Sequence, residues 1–143
     1  MGKELKTASE LAVLNANYIK EKLKDVFYLP FDQPCMHECV FTDAKQAVNK
    51  VTTLDIAKGL VDLGFHPPTV YFPLVVHSAI MVEPTETESK EDLDAFIAAM
   101  RQVACLAKEN PDVLHDAPTK TFRRRLDETS AARSPILSGD MSQ

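Results

Sequence analysis

The sequence predicts an α/β protein, more closely an α+β two-layer sandwich in which helices pack against one sheet. Three observations predict this fold class. Apolar residues recur at helical spacing in three long segments, which is typical of helices with one buried face. Short apolar runs lie between these segments and are long enough for strands but too short for helices. Proline and glycine separate the segments, which gives the order helix, strand, helix, strand, strand, helix.

The first predicted helix runs from about Ala8 to Lys24. The pattern Thr7-Ala-Ser-Glu10 predicts a capping box at its start, and apolar residues follow at helical spacing. Asn15 and Asn17 fit poorly in a helix interior, because their amides compete for backbone hydrogen bonds. Two interpretations stay open: these side chains hydrogen-bond to a partner segment, or they face water.

Two strands and a second helix are predicted in the next part of the chain. Met36–Phe41 is the first strand. Thr52-Thr-Leu-Asp55 predicts the cap of a second helix, and Gly64 stands where a helix commonly ends in a left-handed residue. Thr69–Phe72 is the second strand, and it follows a rigid Pro67-Pro68 connector.

We expect the rest of the chain to be organised around the segment Tyr71–Lys90. Ala79–Val82 predicts a third strand, which Glu83-Pro84 ends because proline has no N–H to give. Ser89-Lys-Glu-Asp92 is a capping box that opens the third helix, Lys90–Glu109. A strand that leads into a polar turn at a helix N-terminus is a common place for a functional site. The alternative is that these residues form only a strand, a loop and a cap.

The pattern weakens after Asn110-Pro111, which stops the third helix. A short helix around Arg123–Glu128 is predicted in the polar region that follows. Such a tail either docks on a neighbouring surface or is disordered. We therefore divide the chain into a bridging helix at 1–24, a small α/β sandwich domain at 25–110 and a docking tail at 111–143.

Composition excludes several classes of function. A net charge of −5 argues against a nucleic-acid binder, which normally shows a basic face. No apolar run approaches the roughly 18 residues that cross a bilayer, and no signal peptide is recognised, so no membrane partner is expected. Three cysteines cannot all pair within the chain, which favours a reducing compartment. We expect a cytoplasmic protein, or a mitochondrial one if the parent is eukaryotic.

Few residue clusters predict a specific chemistry. Cys35, His37 and Cys39 would share one face of a strand, but no fourth ligand is evident, so no metal site is predicted. The four glycines form no phosphate-binding motif. The arginines at 123–125 either hold a phosphate or carboxylate, or form a solvated patch offset by Asp127.

Eight segments form a set whose order along the chain is informative: Ala8-Ser-Glu, Val13-Leu-Asn-Ala-Asn-Tyr18, His37-Glu-Cys-Val, Thr53-Leu-Asp-Ile-Ala-Lys-Gly-Leu, Gly64-Phe-His-Pro-Pro-Thr, Met81-Val-Glu-Pro-Thr-Glu-Thr-Glu-Ser, Arg125-Leu-Asp-Glu and Ala131-Ala-Arg-Ser-Pro. Taken together and in this order, they resemble the C-terminal part of the glycine decarboxylase P-protein, the pyridoxal-phosphate subunit of the glycine cleavage system. The resemblance implies the small C-terminal domain of a fold-type-I pyridoxal-phosphate enzyme, with an aminotransferase-like architecture.

The resemblance also implies an activity for the parent enzyme, an oxidoreductase that decarboxylates glycine and transfers the aminomethyl group to the lipoylated H-protein. In that family the lysine that binds pyridoxal phosphate lies in a large domain upstream of these segments. Lys45, Lys50 and Lys58 stand in no comparable sequence context. We therefore expect this chain to bind no pyridoxal phosphate covalently, to be inactive alone, and to need a large domain or partner subunit.

The resemblance further implies which residues face the pocket. In fold-type-I enzymes the small domain approaches the cofactor with its first strand and with the turn after a later strand. His37, on the predicted first strand, and Thr85 and Glu86, in the turn, are therefore the candidate pocket residues. Alternation along the strand would turn Glu38 away if His37 faces the pocket. The alternatives are that Thr85 and Glu86 only hydrogen-bond a helix N-terminus, or that the whole chain is a self-standing regulatory or scaffolding domain without catalysis.

Overall fold

The computed structural model of the protein describes Gly2 and residues 4–138. The predicted order of elements is confirmed as far as the third long helix, and two short helices follow it. In chain order the elements are α1 (Leu5–Leu23), β1 (Cys39–Thr42), α2 (Thr53–Asp62), β2 (Thr69–Val70), β3 (Ala79–Val82), α3 (Lys90–Glu109), α4 (Pro111–Asp116) and α5 (Glu128–Arg133).

The three strands form one antiparallel sheet in the order β1-β3-β2. Helix α1 packs against β1, α2 packs against β2, and α3 contacts both helices. This arrangement confirms the small α/β architecture. Large side chains with no more than a trace of exposed surface fill the interior: Ile19, Leu23, Phe27, Phe41, Ile56, Leu60, Ile80 and Met100.

Both capping boxes predicted for α2 and α3 are confirmed. At α2, the backbone N–H of Thr52 donates to the Asp55 carboxylate at 2.8 Å, and the Thr52 hydroxyl accepts from the Asp55 N–H at 3.3 Å. At α3, Ser89 and Asp92 make the same reciprocal pair at 3.3 and 3.1 Å. Gly64 follows α2 with φ +87°, a conformation that a residue without Cβ adopts at little cost.

The predicted start of the first helix is wrong. Helix α1 begins at Leu5, its N-cap residue is Glu4, and no side chain caps it. Thr7 therefore lies inside the helix instead of capping it. Leu5 and Lys6 are good helix formers, so the helix extends past the capping-box pattern. The Ser9 hydroxyl donates back to the Leu5 carbonyl at 3.0 Å, as serine does within a helix.

The predicted start of the first strand is also wrong, because β1 begins at Cys39 and not at Met36. Cys39 lies opposite Val82 in the antiparallel register. Two positions further out, the same register would place His37 opposite Pro84. Proline offers no N–H to a ladder, so strand pairing ends before this point. His37 lies in a bend outside the sheet.

The two asparagines of α1 bind partner segments, which decides between the two interpretations left open by the sequence. Asn15 donates from Nδ2 to the carbonyl of Thr85 at 2.9 Å. Asn17 donates to the carbonyl of Cys35 at 2.8 Å and accepts from the Cys35 N–H at 3.0 Å. Both contacts lie within this chain, so α1 is attached to the segment before β1 and to the turn after β3.

The second strand is shorter than predicted and ends at Val70. Tyr71 follows with φ +58°, a left-handed conformation that does not continue a strand. Ser78 has φ +54° just before β3. The connection between these two residues, which we call the β2–β3 loop (residues 71–78), exposes several large apolar side chains. They are Tyr71, Phe72, Leu74 and Val75.

The region after Pro111 differs from the sequence-based expectation. Pro111 ends α3 but also begins α4, since proline is well suited to the first position of a helix. Leu114 and Ala117 are both about 1% exposed, so the core continues past Glu109. The short helix predicted around Arg123–Glu128 is wrong, because α5 spans Glu128–Arg133. The three-part division of the chain stays a prediction.

No helix in the described part of the chain combines the length and the apolar character needed to cross a bilayer.

Candidate functional site

A cleft of about 430 Å³ lies between the N-terminal half of α1, the bend before β1 and the turn after β3. Helix α1 forms its floor with residues that share one face of the helix. The bend and the turn form two facing walls. The floor residues are Leu5, Ala8, Ser9, Ala12 and Val13, and the wall residues are Met36, His37, Glu83, Pro84, Thr85 and Glu86.

All three residues that the sequence singled out as pocket-facing line this cleft. His37 lies on one wall, and Thr85 and Glu86 lie on the other. The reasoning that oriented His37 is wrong, because it assumed alternation along a strand and His37 precedes the strand. Its side chain lies in the cleft because the bend carries it there. The assignment of a role to the three residues remains a prediction.

His37 and Glu83 connect the two walls. His37 Nε2 lies 3.5 Å from Glu83 Oε1, and both side chains are about half exposed. This contact places a carboxylate next to the imidazole where the two walls meet. Sequence analysis did not select Glu83, since it served there only to end β3 with Pro84. The signal that could have identified Glu83 was the antiparallel pairing of β1 with β3, which brings the residue after β3 close to the segment before β1.

The turn after β3 is not used to cap α3. Thr85 and Thr87 share a hydroxyl–hydroxyl hydrogen bond of 2.7 Å. The N-terminus of α3 is capped by Ser89 together with Asp92. The alternative in which Thr85 and Glu86 serve only as helix caps therefore finds no support in the described hydrogen bonds. The exposed Glu86 carboxylate is open to another partner.

The charge of the cleft suits a cation. Glu83 and Glu86 contribute two carboxylates, His37 contributes an imidazole, and no Lys or Arg is among the described residues that line it. Two carboxylates near one space attract an ammonium group and repel a carboxylate or phosphate. Neutral hydroxyl groups of Ser9 and Thr85 add hydrogen-bond donors and acceptors.

Pyridoxal phosphate, which the sequence resemblance implies for the whole enzyme, does not fit this cleft by itself. The cofactor needs a lysine to bind covalently, and its phosphate needs cations or a cluster of backbone N–H groups. The described lining residues include no lysine or arginine, and two of them are glutamates, which repel a phosphate. The buried Lys20 is already occupied, because its Nζ donates to the Gln33 carbonyl at 3.0 Å and lies 3.2 Å from the Glu21 carboxylate.

The structure also places two other clusters that the sequence singled out. Cys35, His37 and Cys39 do not share a strand face, and no group of metal-binding side chains is found among the described residues. Burial strongly raises the pKa of the Cys39 thiol and so disfavours the thiolate that a metal would need. Arg125 does bind a carboxylate, but that carboxylate is Asp55 of the same chain, at 2.6 Å.

A wider depression of about 720 Å³ lies between α3 and the segment around Lys45. Two of its basic groups are already bound: Arg101 donates to the Asp25 carboxylate at 2.7 Å, and Lys45 donates to the Asp25 carbonyl at 2.8 Å. The smaller cleft is the better candidate site, because all three residues that the sequence singled out line it.

The fold and the cleft define a class: a small α/β domain with an acidic cleft that lacks the groups needed to hold a phosphorylated cofactor. A family model described as "Glycine dehydrogenase, C-terminal domain" matches residues 8–123, and the chain belongs to this family. The resemblance stated from the sequence is confirmed.

Curated relatives agree with this family. The chain is 57% identical over 138 residues to a protein named "Probable glycine dehydrogenase (decarboxylating) subunit 2" from Caldanaerobacter subterraneus subsp. tengcongensis, with 96% of the chain covered. It is 58% identical over 133 residues to a protein of the same name from Listeria innocua, with 93% covered. The chain spans only about 28% of the length of the first relative and 27% of the second.

Proposed function

We propose that this chain is the C-terminal part of a glycine dehydrogenase (decarboxylating) of the glycine cleavage system. The whole enzyme releases the carboxylate of glycine as carbon dioxide and passes the aminomethyl group to the lipoyl arm of the H-protein. Family membership over residues 8–123 and identities of 57% and 58% to the two relatives support this function. They favour it over a self-standing regulatory domain.

The convergence of His37, Thr85 and Glu86 on one cleft carries the proposal for the site. In the assembled enzyme the cleft faces the amino end of glycine, because its carboxylates attract an ammonium group and repel the carboxylate that leaves. Glu86 is the residue we assign to this attraction. His37 is the residue we assign to holding or moving a proton, and Glu83 Oε1 lies 3.5 Å from its Nε2.

A larger partner completes the enzyme. Because this cleft does not fit pyridoxal phosphate, we assign the cofactor, its lysine and its phosphate contacts to that partner. The relatives carry "subunit 2" in their names, which supports a native enzyme built from two kinds of subunit. These relatives are bacterial, and we propose the cytoplasm as the place of action.

The β2–β3 loop is the surface that we assign to the larger partner. Leu74 and Val75 are 83% and 87% exposed, and Phe72 is about half exposed. Three neighbouring apolar side chains on one loop are costly to leave in water and are typical of an interface.

A chimeric enzyme tests the proposed site. This chain would replace the matching region of the Caldanaerobacter relative, and the chimera would be assembled with the other subunit, cofactor and lipoylated H-protein. His37→Ala and Glu86→Gln are each expected to lower carbon dioxide release from glycine at least about tenfold, which is about 1.4 kcal/mol of transition-state stabilisation. Both side chains are largely exposed, so the melting temperature should change little.

Matched controls remove similar groups outside the cleft. Glu88→Gln removes a carboxylate two residues beyond Glu86, and His115→Ala removes another partly exposed imidazole. Both controls are expected to keep turnover within about twofold. If His37→Ala and Glu86→Gln reduce turnover no more than these controls do, the site assignment is wrong. A chimera without any activity, although folded and loaded with cofactor, would contradict the proposed function itself.

A further inference from the structure

We propose that Asn15 and Asn17 are positioning residues that attach the two walls of the cleft to one helix and so set the distance between them. This inference rests on the proposed function for its catalytic consequence, but its structural part is independent of the reaction. Helix α1 provides the floor of the cleft, and each asparagine lies at the end of one row of floor residues.

The spacing along α1 explains why one helix reaches both walls. Residues four apart lie above one another on a helix. Leu5, Ser9 and Val13 form one row, and Asn17 is the next position in it. Ala8 and Ala12 form a second row, and Asn15 follows Ala12 by three residues. A step of four residues turns about 40° one way around the helix and a step of three about 60° the other way, so the two amides lie on opposite sides of the floor.

Asn17 fixes the wall that carries His37. Its amide accepts from the Cys35 N–H at 3.0 Å and donates to the Cys35 carbonyl at 2.8 Å, so it binds both backbone groups of a single residue. The same Nδ2 also donates to the Val13 carbonyl at 2.8 Å, which holds the amide in place. Only an amide side chain offers a donor and an acceptor at this separation. The bend at His37 starts two residues after this contact.

Asn15 fixes the opposite wall. Its side chain is 9% exposed, and its Nδ2 donates to the Thr85 carbonyl at 2.9 Å across 70 residues of sequence. This contact holds the turn directly at a residue that lines the cleft. A polar side chain at a buried helix position needs such a partner, because an unpaired amide there is unfavourable. The partner in this case is a wall of the candidate site.

Nuclear magnetic resonance of the whole chain tests the structural part. Asn17→Ala is expected to shift the ring signals of His37 and leave the amide signals of Thr85 and Glu86 in place. Asn15→Ala is expected to do the reverse. Asn49→Ala is the matched control, because Asn49 also donates from a partly buried amide to a distant carbonyl, that of Ala107 at 3.0 Å, but lies outside the cleft.

Each possible result of the resonance experiment either supports or contradicts the positioning role of the two asparagines. If Asn15→Ala and Asn17→Ala move both walls alike, or move neither beyond the shifts caused by Asn49→Ala, the asparagines only stabilise the fold and the inference is wrong. Asn17→Asp keeps the acceptor and loses the donor, so it should give a smaller shift at His37 than Asn17→Ala. If Asn17→Ala does not fold, the shift at His37 can be measured with Asn17→Asp instead.

Turnover in the chimera tests the catalytic consequence. Asn15→Ala and Asn17→Ala should lower kcat at least about threefold with melting temperatures no lower than that of Asn49→Ala, whose kcat should stay unchanged. If the resonance shifts occur as expected but His37→Ala leaves turnover intact, the positioning role of the asparagines is supported and the proposed catalytic role of the cleft is contradicted. If His37→Ala abolishes turnover but neither asparagine variant shifts a wall, the proposed site holds and the positioning fails.

Discussion

Arg125 donates from Nη2 to Oδ1 of Asp55 at 2.6 Å, while the other oxygen of the same carboxylate closes the capping box of α2. The guanidinium also donates to the carbonyls of Leu114 and Ala117 at 2.8 and 2.7 Å. One arginine therefore joins the tail, α4 and the start of α2. The Asp55 side chain is only 7% exposed, so this contact is partly shielded from water.

Arg125→Ala is expected to lower the free energy of unfolding by about 1–3 kcal/mol, because it leaves a buried carboxylate oxygen without a donor and removes one hydrogen bond from each of two carbonyls. Equilibrium denaturation in urea measures this change. Arg123→Ala is the control, because Arg123 only stacks on the exposed Phe122. Equal effects of the two substitutions would show that the tail contact contributes nothing specific.

Asp62 makes the tail sensitive to acid. Its carboxylate accepts from the backbone N–H groups of Thr119 at 2.8 and 2.7 Å and of Lys120 at 2.8 Å. Partial burial raises the pKa of Asp62, but these hydrogen bonds outweigh it and the pKa falls below its ordinary value of 3.8. A carboxyl group with a lowered pKa stabilises the folded state above that value, and the stabilisation is lost as the pH falls through the folded-state pKa.

Amide hydrogen exchange as a function of pH measures this contact. We expect the Thr119 and Lys120 amides to be protected above about pH 4 and to lose that protection, beyond the intrinsic pH dependence of exchange, at lower pH. Asp62→Asn should remove the protection at every pH. Residues 134–138 lie outside any helix or strand and should exchange fast throughout. Fast exchange at Thr119 near neutral pH would contradict the expectation.

Most of the fold follows from local patterns in the sequence. The apolar runs and the capping boxes at Thr52 and Ser89 place α2, β3 and α3 correctly, because each signal is contained in a few neighbouring residues. Part of what the sequence did not predict depends on distant residues. Pro84 limits the length of β1 through the register of the sheet, and Asn17 binds the backbone of Cys35, although neither lies near the segment it affects.

Three of the residues that line the candidate cleft were predictable from the sequence, but the geometry of the cleft was not. His37, Thr85 and Glu86 come from the family resemblance together with the strand-to-turn pattern. The role of Glu83 as the neighbour of His37 depends on how β1 and β3 pair, which the sequence does not specify residue by residue. The docking of Leu114 into the core was missed because Pro111 both ends one helix and begins the next.

The isolated chain is expected to form no specific covalent adduct with pyridoxal phosphate. The cleft has no lysine among its described lining residues, and Lys20 is bound to a carbonyl and a carboxylate. Incubation with the cofactor, borohydride reduction and mass analysis of peptides measures adduct formation. Scattered labelling at low occupancy is expected of exposed lysines. A single lysine labelled to about one equivalent, resistant to competition by free lysine, would contradict this prediction.

Gly59 allows α4 to approach α2 closely. A Cβ atom at this position would lie 2.7 Å from Leu114 Cδ2, which is inside van der Waals contact. Gly59→Ala is therefore expected to lower the free energy of unfolding by about 1–3 kcal/mol through overpacking. Leu114→Ala creates space at the same point, so the added cost of Gly59→Ala should shrink in that background. Additive effects of the two substitutions in urea denaturation would contradict close packing at this contact.

Two exposed valines form a matched pair for testing the contact with the larger partner. Val75 is 87% exposed in the β2–β3 loop, and Val48 is 82% exposed in a turn between β1 and α2. Burying a valine side chain contributes about 1.5–3 kcal/mol. If Val75 becomes buried on association, Val75→Ser should weaken binding at least about tenfold, which is about 1.4 kcal/mol.

The binding partner for this measurement is the Caldanaerobacter relative without the region that matches this chain, assembled with its other subunit. Titration calorimetry with the separately produced chain gives the dissociation constant. Val48→Ser removes the same side chain from a surface outside the loop and should leave affinity within about twofold of the unmodified chain. Each substitution is made at an exposed position, so neither should lower the stability of the free chain. Equal loss of affinity in both variants, or loss only with Val48→Ser, would exclude the β2–β3 loop as the contact surface.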